Sequence, residues 1–148
     1  MFLHPIITHF PLALLTVYSV FELIRFKKVK EKPYWFFVKA IFVTLGTITA
    51  VLAWLTGPEV SGSRLGEMHE LFATNSLLIF AIIALTYFST WCWPILVSKF
   101  IMRSYIIIPL ALLGLICIVI TGSLGGAMVY GTDFDPLMAP VFKLLKIY

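Results

Sequence analysis

The chain has 148 residues, of which 61% are hydrophobic and 12% charged, with a mean hydropathy of +1.02. This composition excludes a water-soluble globular fold, in which about a quarter of residues are charged. Eleven Lys and Arg against seven Asp and Glu give a net charge of +4, but the cations cluster between apolar runs, so they report membrane topology and exclude nucleic acid as a partner.

A helix rises about 1.5 Å per residue and needs about 20 apolar residues to cross the hydrocarbon core. Four stretches qualify. The first covers 5–24. No basic residue precedes it and no small-residue cleavage site follows, so it is expected to stay in the mature protein. Near its inner end, Glu22 and Arg25 are spaced to pair on one helix face as a structural contact. The second stretch covers 34–56 and stops at Gly57-Pro58, where proline cannot continue a helix. The third, 69–97, is long enough to require tilt, and the fourth covers 104–130. In the tail, 131–148, Gly131, Asp133, Asp135 and Pro136 read as an exposed turn, and the remainder as a short helix on the outer surface. The fold class expected is all-α: a single transmembrane domain over 1–148, an integral membrane four-helix bundle in a lipid bilayer.

Arg25, Lys27, Lys28, Lys30, Lys32, Lys39, Lys99 and Arg103 put eight basic residues on one side, against Arg64, Lys143 and Lys146 on the other. By the positive-inside rule both termini are non-cytoplasmic. Trp35, Trp54, Trp91 and Trp93 fall near span ends as interfacial anchors, and Cys92 and Cys117 read as small hydrophobes within spans.

The three histidines gather at the outer end. His4 and His9 flank the start of span one and His69 opens span three. An ionisable group at membrane depth is costly unless paired, which makes each a site residue by default. The bland alternative is a cap or interfacial role for His4 and a structural role for His9 and His69. His4 and His9 are five positions and about 140° apart on a helix, so they do not aim at one partner. Pro5 suits a first helical turn, which leaves His4 at or ahead of the cap.

At the outer end of span four, Gly122, Gly125 and Gly126 leave the helix open to close approach. Gly122 and Gly126 match the GxxxG spacing that packs transmembrane helices. The sharper alternative is a flat, bulky cofactor lying against all three glycines between histidines of spans one and three. Two imidazoles from facing helices suit haem b. Copper or zinc bound by the same three histidines is the alternative, although it requires all three to converge. Hydrolase and transferase patterns are absent: there is no phosphate loop, HExxH or nucleophile elbow.

The opening His4-Pro5-Ile6-Ile7-Thr8-His9-Phe10-Pro11, His69 at the start of the third span and the closing Gly125-Gly126-Ala127-Met128-Val129-Tyr130 resemble the bacterial four-helix membrane proteins grouped as domain of unknown function 2231. The resemblance covers nearly the whole chain. It departs at Ala127 and Met128, where a more polar residue and leucine are expected. It implies the architecture, a bacterial inner-membrane location and the importance of the motif positions, with haem binding as a suggestion.

The reading taken forward is a small membrane protein like a b-type cytochrome, serving electron transfer. His9 and His69 ligate haem near the outer face, with His4 as the alternate ligand, and Arg64, Ser123 and Tyr130 at propionate level. A redox protein or a quinone would be its electron partner, and a homo-oligomer one form of assembly. A copper or zinc module and a cofactor-free structural subunit are the rivals.

Overall fold

The computed structural model describes residues 3–24, 26–30, 32, 34–57, 62–92 and 106–147. Its elements are α1 (Leu3–Leu23), the single turn α2 (Lys27–Lys30), α3 (Tyr34–Thr56), α4 (Arg64–Cys92), α5 (Ile107–Tyr130), a 3₁₀ turn (Thr132–Phe134) and α6 (Ala139–Leu144). The chain is all-α, and α1, α3, α4 and α5 are long and apolar enough to cross a membrane. It is a multi-pass membrane protein in contact with lipid. The described residues form two hairpins: α1 packs on α3 and α4 on α5, and the ring closes through α3 against α4 and α5 against α1.

Two boundaries differ from the sequence reading. Helix α1 begins at Leu3, so His4 lies within its first turn rather than ahead of it. Helix α4 begins at Arg64 rather than at 69, because the Ser63 hydroxyl accepts the orphan Gly66 N–H at 3.1 Å and Glu67 adds a carboxylate to the first turn. His69 is therefore in the second turn. The expected end of span three at 93–97 and start of span four at 104–105 lie outside the described residues, as do Arg25, Lys99, Arg103 and Trp93.

The interior is built from Leu15, Tyr18, Val43, Phe80, Ile83, Tyr87, Ile107, Ala111 and Ile118. The outer faces are apolar too, with Ile41, Leu45, Ile48, Leu85, Leu112 and Ile116 all exposed. This suits lipid, where helix contacts come from close packing rather than from exclusion of water. Gly114 makes room for Phe80 and Gly46 for Leu15. Several hydroxyls along the spans are satisfied within their own helices: Ser19 donates to the Leu15 carbonyl, Thr47 to Val43 and Thr90 to Thr86, each at 2.7 to 2.8 Å.

The C-terminal segment is tied down. Gly131, at φ +89°, turns the chain out of α5. Phe142 of α6 is fully buried against Leu124 and Ala127, while Leu137 and Leu144 remain exposed. Cys92 is exposed and Cys117 buried, and both are free.

Candidate histidine site at one end of the bundle

The two hairpins carry the same device at the same end. In the first, His4 near the start of α1 reaches the last residue of α3: its Nδ1 lies 3.4 Å from Thr56 Oγ1. In the second, His69 near the start of α4 reaches α5, with Nδ1 3.1 Å from the Thr121 carbonyl oxygen. Each ring also rests on a glycine. A Cβ on Gly57 would come within 3.4 Å of His4 Cε1, and one on Gly125 within 3.3 Å of His69 Cε1.

These contacts set the tautomers. A carbonyl oxygen only accepts, so Nδ1 of His69 carries the hydrogen and a neutral ring keeps its Nε2 lone pair. The Thr56 hydroxyl sends its proton to the Leu52 carbonyl at 2.8 Å, so its oxygen accepts from Nδ1 of His4, and the same logic leaves that Nε2 free. An Nδ1–H held by an oxygen acceptor, with Nε2 open, is the arrangement that orients histidine as a ligand.

His9 is placed differently. Five residues after His4 on α1, it is exposed, whereas Pro11, Leu15, Tyr18 and Glu22 on that helix are buried. The structure thus places His4 and His69 at the same end of the bundle, each against the partner helix of its own hairpin, and leaves His9 off the buried face of α1. Among the described residues no three or more His, Cys, Asp or Glu side chains gather as a metal set. A site of all three histidines for copper or zinc is therefore not assembled, because the turn of α1 separates His4 from His9.

The glycines of α5 are occupied by the chain itself. A Cβ on Gly122 would meet Leu12 Cδ1 at 2.8 Å, and one on Gly126 would meet Phe134 Cζ at 2.5 Å. Leu12, His69 and Phe134 thus take the space over the three glycines. Arg64 is half-exposed and turned to the C-terminal segment, its Nε donating to the Leu145 carbonyl at 3.4 Å and its Nη1 lying 3.8 Å from Glu67. Tyr130 is exposed beside the Phe134 ring, 6.0 Å between centroids. Ser123 donates to Asp135 at 3.3 Å, and Asp135 also accepts the Leu137 N–H, so this acidic residue shapes the turn. Thr56 and Thr121 escaped the sequence reading, although each adjoins a glycine.

A second polar group lies at the other end. Glu22 bonds Lys39, Tyr18 and Tyr87, while the Arg25 expected as its partner lies outside the described residues. No family model, no curated protein and no solved structure matches the chain.

Proposed function

We propose that this membrane protein is a small b-type cytochrome-like electron carrier, with haem held at the histidine end by His69 of α4 and by His4 of α1. The carrying observation is that both imidazoles are fixed at Nδ1, by Thr121 and Thr56, with Nε2 free. Two neutral imidazoles from different helices are the donor set of a low-spin b-type haem. Haem, when bound, supplies the one-electron chemistry. The chain orients the two rings, sets their tautomers through Thr56 and Thr121, and surrounds them with apolar helix. His9 is the alternate ligand in this reading. Arg64 and Tyr130 stand at the same end as candidates for the propionates, with a redox protein or a quinone as electron partner. The charge asymmetry of the loops supports a histidine end outside the cytoplasm, and the motif resemblance supports a bacterial inner membrane.

A second reading is favoured by Leu12 and Phe134 over Gly122 and Gly126: a cofactor-free subunit whose small residues serve packing alone. Copper or zinc on the His4–His69 pair is a third use of the same donors. Absorption spectra of detergent-purified protein from a haem-replete host, oxidised and dithionite-reduced, separate them. A sharp reduced α-band that is lost in His69→Ala supports haem. A colourless, well-folded wild type overturns it, and metal analysis then divides the ion site from the packing role.

A further inference from the structure

Glu22 ends α1 almost completely buried, 8% exposed, at the end of the bundle away from the histidines. A carboxylate taken out of water costs several kcal/mol unless charge and hydrogen bonds compensate it. Among the described residues, three side chains do so. Tyr87 of α4 donates to its Oε2 at 2.7 Å and Tyr18, one turn earlier on α1, at 3.3 Å. Lys39 of α3 approaches to 2.9 Å from Oε2 and 3.0 Å from Oε1. The Lys39 ammonium also lies 5.6 Å from the centroid of the Tyr87 ring. Around them the aromatic edges interlock: Tyr18 meets Tyr87 and Phe80 edge-on, and Phe36 leans on Tyr87. Helix α5 adds apolar Ile107 and Ala111 to the same core.

We propose that this cluster is a charge-specific clasp that fixes the register of α1, α3 and α4. Helix faces that are apolar on both the lipid and the protein side discriminate weakly between registers, since lipid tails are as apolar as leucine. The carboxylate discriminates strongly. Sliding one helix by a residue shifts its side chains by about 1.5 Å and turns them by about 100°, which takes Lys39 or Tyr87 away and leaves an unpaired charge in the bundle. One acidic residue at a helix end thereby selects the placement of two other helices. The same pair makes Lys39, one turn and more into α3, tolerable in an apolar span. This role is independent of any cofactor at the histidine end.

The test uses the full chain in detergent, followed by thermal unfolding. Glu22→Gln keeps the shape but removes the charge, and Lys39→Met strands the carboxylate. Each is expected to lower the midpoint by about 10 °C. The reversed pair, Glu22→Lys with Lys39→Glu, restores the attraction and is expected to recover more than half of that loss. If the single variants do not accumulate in the membrane, accumulation of the reversed pair near the wild-type level supports the clasp. A Glu22→Gln variant that melts with the wild type, or a reversed pair no better than the single variants, overturns it.

Discussion

The Nδ1 of His69 and the carbonyl oxygen of Thr121, 52 residues apart in sequence, meet at 3.1 Å across the α4–α5 contact. The orientation of the imidazole is thus inherited from helix packing and not from a loop. Because the acceptor is a backbone atom, no side-chain substitution at 121 removes it directly. The neighbouring Gly125 matters for the same reason: its missing side chain is what lets the ring lie against α5.

The geometry distinguishes the histidines in a way that spectra can check. Under the proposed function, His4→Ala and His69→Ala each lower haem retention by at least about 10-fold, while His9→Ala, off the buried face of α1, stays within about 2-fold of the wild type. Retention is read from the reduced α-band per mole of protein. Loss in His9→Ala with retention in His4→Ala would reassign the α1 ligand.

Alanine at two glycines should have unequal effects. A Cβ at Gly114 meets Phe80 at 2.8 and 3.0 Å, and Phe80 is fully buried in the core. That clash costs about 2 kcal/mol after the better helix propensity of alanine is counted. At Gly126 the clash is with the far edge of Phe134, a half-exposed ring that can swing away, so the net change is below about 1 kcal/mol. Unfolding midpoints of the two variants give the comparison.

Phe142→Ala removes the anchor of the C-terminal segment. A buried phenylalanine truncated to alanine loses about 3 to 5 kcal/mol. Because α6 contacts only one end of the bundle, the loss is local. Limited proteolysis is expected to cut the variant within 131–147 at concentrations that spare the wild type, leaving the four long helices protected.

Ser63→Ala leaves the Gly66 N–H at the start of α4 without its 3.1 Å acceptor, at a cost of about 1 kcal/mol. Hydrogen exchange at residues 64–68 should speed up while exchange in the middle of α4 is unchanged, and Ser63→Asp should preserve protection.

Hydropathy alone made α1, α3, α4 and α5 legible, because an apolar run of helical length has few alternatives in a bilayer. The start of α4 was missed because its first turn, from Arg64 to Glu67, is polar and is held by the Ser63 cap, which hydropathy does not see. His69 could be singled out as a candidate from its type and position. Its partner Thr121 could not, since a backbone carbonyl has no signature in sequence. The choice between His4 and His9 depended on which face of α1 turns inward, and that face is marked by Leu15, Tyr18 and Glu22 rather than by the histidines themselves. The Glu22 contact with Lys39 could not be read from spacing, which reaches only neighbours on the same helix such as Arg25. Lys39, 17 residues away, comes into reach only when α1 folds against α3.

Between the histidine end and the Glu22 cluster, the middle of the bundle is filled by Leu15, Val43, Phe80 and Ile83, each with no exposed surface. The two polar ends are therefore separated by a packed, mainly apolar waist, in which the buried Ser19 and Ser76 hydroxyls bond to carbonyls of their own helices. Protons and ions entering from either face meet a barrier like that of the bilayer itself, so the folded monomer is expected to leave a pH or potential gradient across a liposome undisturbed.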